Sequence, residues 1–443
     1  MIQKSQYLLV AILGVCLWAS SWAATTVTAG TDPTKFVLQG KVVTPDEIID
    51  GKVVVEGDTI TCVGTCQNPD GTWLLRVSSA FILPGFIDAH NHVAYNVFGK
   101  WTPPKIYENR GQWQRAPAYQ AFKAPYNNLK DKAICEMVKY GELKALISGI
   151  TTIQGTAPSR TCYRTLIRNA ENQNELGLPS NHIRTFILDI SSFRSAIDWN
   201  ETKSFVVHLA EGIDARSRDE FKTLKQKGLL AAGTAIIHGT AFGEAEFMEM
   251  AAASAKLIWS PRSNLVLYDK TTDIRLAYRH GVPVSLGVDW NPTGSDNLFD
   301  ELRVAAQVNE DELDNVIPDS DWIKLITVNP ASALALDSLI GRLAPNMKAD
   351  IVIVRERHAD PGQSLLLSRL QDVQMVWVGG KLLYGNRVAV ERIRPGQCES
   401  LTVYGSSKRI CVKDATNPNS NQSLSDLRAK LLQLHPALAP LTP

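Results

Sequence analysis

The spacing of hydrophobic positions changes twice along the chain. Residues 35 to 80 alternate apolar and polar positions between Gly and Asp turns, as in Phe36-Val37-Leu38-Gln39-Gly40-Lys41-Val42-Val43 and Lys52-Val53-Val54-Val55-Glu56-Gly57-Asp58. That alternation predicts short antiparallel strands. From about 81 to 339, short β-branched runs alternate with stretches of helical period, the pattern of βαβ units around a parallel sheet. After Gly341 strand texture returns, in Ala349-Asp350-Ile351-Val352-Ile353-Val354 and Val373-Gln374-Met375-Val376-Trp377-Val378. The simplest architecture is a small β domain split between the chain ends, with an α/β domain inserted in it. The expected divisions are 24–80 and 340–412 for the two parts of the β domain, the second including a hairpin over Leu401 to Val412, and 81–339 for the inserted α/β domain. Residues 413–443 would form a polar loop and a terminal amphipathic helix near Leu424 to Leu434.

Residues 1–23 follow another pattern: one cation, Lys4, an apolar run from Tyr7 to Trp18, then Ala19-Ser20-Ser21-Trp22-Ala23. The run falls short of the roughly 20 residues that span a bilayer, and Ser21 and Ala23 fit the small-residue positions before a cleavage point. A secretory signal peptide cut after Ala23 is expected, which places the mature chain in the periplasm or outside the cell. No later stretch is apolar enough for stable membrane insertion. Of seven cysteines, Cys16 leaves with the leader. In an oxidising compartment the other six are expected to pair as Cys62–Cys66, Cys135–Cys162 and Cys398–Cys411, although six cysteines allow 15 pairings and sequence alone does not choose. The 443 residues carry 46 Lys+Arg against 45 Asp+Glu, a formal charge of +1, so no net field favours nucleic acid or an anionic membrane surface. A small-molecule partner is expected instead; homo-oligomerisation stays open.

Four of the eight histidines sit where apolar runs end. In Phe81-Ile82-Leu83-Pro84-Gly85-Phe86-Ile87-Asp88-Ala89-His90-Asn91-His92, strand alternation points His90 and His92 to one side, a pair suited to one metal ion. Phe205-Val206-Val207-His208, with Glu211 beyond it, Thr234-Ala235-Ile236-Ile237-His238 and Val284-Ser285-Leu286-Gly287-Val288-Asp289 each place a polar residue at the end of an apolar run. In a parallel barrel such ends gather at one mouth, where active sites are built. His208 and His238 are about one βα unit apart, and Asp289 follows after about two. The intervening strand would be Leu257-Ile258-Trp259, ending at Ser260-Pro261-Arg262-Ser263-Asn264. His182, His280, His358 and His435 lack this context and read as surface or structural residues.

The Pro84 to His92 segment resembles the first-strand signature of the amidohydrolase superfamily of metal-dependent hydrolases. The later strand-end residues and the closing stretch Thr327-Val328-Asn329-Pro330-Ala331, Ile340-Gly341-Arg342-Leu343 and Lys348-Ala349-Asp350-Ile351-Val352 extend the resemblance over roughly residues 36 to 390. It implies an α/β fold, a distorted (β/α)8 TIM barrel beside a small β-sandwich built from both chain ends. His208-Leu209-Ala210-Glu211-Gly212 resembles the HxxE element of the mononuclear branch that includes the cytosine, guanine and chlorotriazine aminohydrolases, and the Ser260 to Asn264 turn resembles that branch's substrate loop. By that resemblance His90, His92, His208 and Asp289 hold one divalent ion, Zn2+ or alternatively Fe2+, with Glu211, His238 and Asp289 as the catalytic groups. Three imidazoles and a carboxylate suit such an ion. Arg262, Ser263 and Asn264, with Trp101 and Trp290, are the expected substrate contacts.

The implied activity is hydrolysis at a carbon bonded to nitrogen, by deamination of a heterocycle or cleavage of an amide. The rivals are a binuclear amidase or lactonase, which needs a bridging carboxylated lysine that Ile183-Arg184-Thr185-Phe186-Ile187-Leu188-Asp189 does not offer, and a non-catalytic binding protein, which would not need Glu211. Seven barrel strands are legible, and the eighth is expected within 156–180 or 190–203. A long aromatic insert after His92, with Tyr95, Phe98, Trp101, Tyr107, Trp113, Tyr119, Phe122 and Tyr126, reads equally as a substrate lid or as packing against helices.

Overall fold

The computed structural model describes residues 25–155, 162, 166–415 and 420–442. The expected leader, and part of the polar loop from Asn417 to Gln422, lie outside them. Five strands open the chain: β1 (Thr26–Thr28), β2 (Lys35–Val43), β3 (Ile48–Glu56), β4 (Thr59–Gly64) and β5 (Trp73–Pro84). Eight more follow: β6 (Phe86–Asn91), β7 (Ile150–Gly155), β8 (Arg168–Asn169), β9 (Ile183–Phe186), β10 (Ser204–Leu209), β11 (Thr234–His238), β12 (Lys256–Trp259) and β13 (Val284–Leu286). The last five are β14 (Ile351–Arg355), β15 (Val373–Val378), β16 (Lys381–Asn386), β17 (Glu399–Val403) and β18 (Ser406–Ile410).

Both chain ends contribute to one sheet of order β17-β18-β16-β15-β14-β5-β2-β3-β4, with β1 added to β5. Its neighbours are antiparallel except β2 and β5, which run parallel. The ladder is continuous, yet the sheet curls. Three strand spacings of about 4.8 Å would separate β2 from β15 in a flat sheet, whereas the Phe36 and Trp377 rings lie 6.2 Å apart. The bend falls where the β2–β5 register shifts between Gln39 and Lys41. There a Cβ on Gly40 would sit 2.7 Å from the Val77 carbonyl oxygen, so the close approach requires glycine. Apolar residues of both halves, including Phe36, Leu38, Val55, Ile353, Met375 and Trp377, share one buried core.

The division expected between 80 and 81 falls inside β5, whose Phe81 and Ile82 pair with Val354 and Ile353 of β14. The sheet keeps the chain as far as Pro84. At Gly85, where a Cβ would be 2.2 Å from the Thr151 hydroxyl, the backbone passes into β6. An unbroken apolar run across the junction hides this boundary in the sequence.

Strands β6 to β13 form parallel ladders β6-β7-β8 and β9-β10-β11-β12-β13. The ladders join where β13 meets β6: the Asp289 N–H donates to the His90 carbonyl at 2.8 Å and the His92 N–H to the Asp289 carbonyl at 2.7 Å. Asp88 fastens the same seam, its carboxylate accepting from the Val288 N–H at 3.1 Å and from Asn91 Nδ2 at 2.7 Å. On the far side no ladder links β8 to β9; the Gln173 side chain accepts from the Ile183 N–H at 3.0 Å instead. The arrangement is a TIM-barrel-like α/β fold, open by ladder between those two strands. The eighth strand is β8, two residues within the 156–180 range.

All three expected cysteine pairs are bonded, and Cys398–Cys411 closes the β17–β18 hairpin. The terminal helix, Leu424–Leu434, is capped by the Ser423 hydroxyl and lies on the helix Pro125–Ile147, where Lys430 pairs with Glu136 at 2.5 Å. No described helix is long and apolar enough to cross a membrane.

Candidate metal centre

The ends of β6, β10, β11 and β13 bring His90, His92, His208, His238 and Asp289 together. His90 Nε2 lies 3.0 Å from His208 Nε2 and 3.4 Å from His92 Nε2, and His92 Nε2 is 3.3 Å from His208 Nε2. Asp289 Oδ1 is 3.3 Å from His90 Nε2 and 3.4 Å from His92 Nε2. The three ring nitrogens cannot all be hydrogen-bonded to one another, because each is either a donor or an acceptor in a neutral ring, so of three in mutual contact at least two are alike. The five separations do suit ligands around one ion: zinc–nitrogen bonds of about 2.0–2.1 Å place ligand atoms about 3.3 Å apart. The residues present therefore fit one divalent cation.

The electrostatics point the same way. Burial lowers the His92 pKa to about 4 and pushes those of His90 and His208 well below the ordinary imidazole value, the neighbouring rings adding to the effect. Neutral imidazoles keep their lone pairs for a metal. Burial alone would hold Asp289 protonated far above the usual carboxyl range, so its ionised form calls for a cation beside it.

A second set of side chains aims these ligands. Ser260 Oγ contacts His90 Nδ1 at 2.8 Å, Ser263 Oγ donates to Asp289 Oδ2 at 2.6 Å, and Asn264 Oδ1 contacts His238 Nδ1 at 2.9 Å. With Nε2 of His90 facing the centre, its Nδ1–H donates to Ser260. The stretch read as a substrate turn is thus the start of a helix, Pro261–Tyr268. Ser263 and Asn264, expected to touch substrate, are fully buried and brace Asp289 and His238. The Arg262 N–H donates to Glu301 at 3.2 Å, and its side chain is half-buried. The strand ends are strained: Ala210, His238 and Asp289 have φ of 52°, 72° and 64°, a region costing non-glycine residues of order 1–3 kcal/mol each.

Glu211 lies beside the cluster, with Oε2 3.7 Å from His238 Nε2. Its Oε1 accepts a 2.8 Å hydrogen bond from the Tyr268 hydroxyl. Sequence reasoning missed Tyr268, which reads as an ordinary apolar helix position.

The sequence profile of the amidohydrolase family matches residues 189–383, a span holding His208, Glu211, His238 and Asp289. A 5-methylthioadenosine/S-adenosylhomocysteine deaminase of Thermoanaerobacter pseudethanolicus is 23% identical over 411 residues, covering 77% of this chain and 91% of its own. Among solved structures, a triazine hydrolase variant superposes with a TM-score of 0.66 at 17% identity, over 90% of this chain and 99% of its own. A zinc-bound adenosine deaminase from Xanthomonas campestris does so with a TM-score of 0.63 at 16% identity, over 90% and 98%.

The aromatic insert is folded into short helices, Arg110–Arg115 and Pro117–Lys123 among them. Trp101, Tyr107, Trp113 and Tyr119 form one buried cluster with Tyr268 and Trp290. The Trp290 ring is 6.1 Å from that of His92, and its indole N–H donates to Thr293 Oγ1, which also contacts Ser263. The insert thus packs as a unit against the rim of the site. Of the other histidines, His182 contacts the Ala335 carbonyl and His280 pairs with Glu244, both outside the cluster.

Proposed function

We propose that the chain is an exported, single-metal aminohydrolase that uses water to displace the amino group of a nitrogen heterocycle, releasing ammonia. The observation that carries this reading is the gathering of His90, His92, His208 and Asp289 at one point with Glu211 and His238 beside it. The deaminase names of the sequence relatives support deamination over amide cleavage, and the zinc in the adenosine deaminase neighbour supports zinc. Strand β9 has no lysine to bridge a second ion, which favours one metal. In this reading the curled ten-stranded sheet is the small sandwich domain, and β6 to β13 are a distorted (β/α)8 barrel.

A bound divalent ion supplies Lewis acidity, bringing the pKa of water toward about 7. The chain's own groups do the rest. Asp289, with Oδ2 held by Ser263, keeps one fixed carboxylate oxygen at the centre to orient the attacking water. Glu211 takes the proton that water gives up and returns it to the departing amino nitrogen. His238 is oriented through Nδ1 by Asn264 and turns Nε2 toward Glu211 and the centre; burial lowers its pKa, and the Glu211 carboxylate opposes that shift.

The test is a panel of amino-substituted purines, pyrimidines and triazines run beside amides and lactones, with loss of each compound as the readout and ammonia measured alongside. Ammonia release from an aminoheterocycle is expected. Turnover confined to amides or lactones would overturn the deaminase assignment.

A further inference from the structure

The geometry points to Tyr268 as a positioning residue for Glu211, set in place by the segment 107–113 of the aromatic insert. This rests on the proton-shuttling reading of Glu211. Tyr268 is 1% exposed, and its hydroxyl donates to Glu211 Oε1 at 2.8 Å. Trp113 Nε1 donates to the same hydroxyl, also at 2.8 Å. An indole N–H only donates and a phenol has a single proton, so the direction of both bonds is fixed, from Trp113 to Tyr268 to Glu211. Oε1 is thereby tied back, and Oε2 is the oxygen turned toward His238.

The backbone around Glu211 is held by the same segment. The Arg110 N–H donates to the Glu211 carbonyl at 3.1 Å, and the Ile213 N–H to the Glu108 carbonyl at 2.7 Å, so that Asn109 and Gly212 form a β-bridge. A Cβ on Gly212 would lie 2.5 Å from the Glu108 carbonyl oxygen, so this approach requires glycine. Arg110 anchors the segment in turn, its guanidinium donating to the Leu188 carbonyl at 3.1 Å and pairing with Glu220 at 3.2 Å. The insert therefore helps to build the proton shuttle.

The experiment compares wild type, Tyr268→Phe, Glu211→Gln and the double variant on whichever panel compound the wild type hydrolyses fastest, with metal content measured for each. Tyr268→Phe keeps the ring and deletes the hydrogen bond, and kcat is expected to fall about tenfold to a hundredfold with KM and metal content essentially unchanged. In the Glu211→Gln background the same change is expected to add little, because it acts through Glu211. An unchanged kcat, a loss confined to KM or to metal content, or full additivity would overturn the proposal. Failure of the deaminase reading shows separately, as wild-type turnover confined to amides or lactones, and leaves the Tyr268 comparison to be read on the amide or lactone. A wild type inactive on the whole panel would overturn both.

Discussion

Ser263 Oγ donates a 2.6 Å hydrogen bond to Oδ2 of Asp289, which leaves Oδ1 facing His90 and His92. A partner of this kind fixes the orientation of a metal ligand, and its loss commonly costs about tenfold to a hundredfold in metal affinity. Ser263→Ala is therefore expected to weaken metal retention by about that factor while the protein stays folded. Chelator competition measures it, and an affinity equal to wild type would remove Ser263 from the centre.

Glu211 lies next to the proposed ligands without being one of them. Glu211→Gln is expected to keep the metal and to lose about a hundredfold to ten-thousandfold in kcat, the usual worth of a positioned acid–base group. Steady-state kinetics with parallel metal analysis checks this; full activity in the variant would refute the shuttle.

Glu142 gives a prediction away from the site. It is 2% exposed on the helix Pro125–Ile147, and burial raises its pKa to about 8, although Oε2 accepts from the Leu166 and Ile167 N–H groups. A carboxyl whose folded pKa is raised contributes stability that is present below its unfolded value and lost as pH rises through the folded one. Glu142→Gln retains an oxygen acceptor and cannot ionise. Its melting temperature relative to wild type is expected to climb from about pH 5 to about pH 8, and a constant difference across that range would contradict the assignment.

The proposed export makes a prediction that the three disulfides share. A chain exported by that route is expected to begin at Ala24 and to show no free thiol under denaturing conditions. Replacing Cys135 and Cys162 together by alanine is expected to cost about 2–4 kcal/mol, since that bridge closes the longest loop, with a sequence separation of 27. Intact-mass analysis and denaturant melts test both points. Retention of residues 1–23 in the secreted fraction would rule out the cleavage.

The sequence revealed the convergence of His90, His92, His208, His238 and Asp289 because each ends an apolar strand, and strand periodicity encodes direction. It did not reveal what holds them. Ser260, Ser263 and Asn264 read as a substrate turn by family resemblance, yet Pro261 begins a helix, and that stretch reaches three different strand ends. The contacts of Tyr268 and Trp113 join segments about 155 residues apart, and no local pattern encodes them. Strand β8 is two residues long and leaves no periodicity to read. The curl of the terminal sheet comes from a register shift beside Gly40, where the sequence shows only alternation continuing.

The central claim is that His90, His92, His208 and Asp289 hold one divalent ion, and metal analysis of the purified mature protein tests it most directly. About one equivalent per chain is expected, lost together with turnover in His208→Ala. Two equivalents in the active protein, or full activity without any metal, would contradict it.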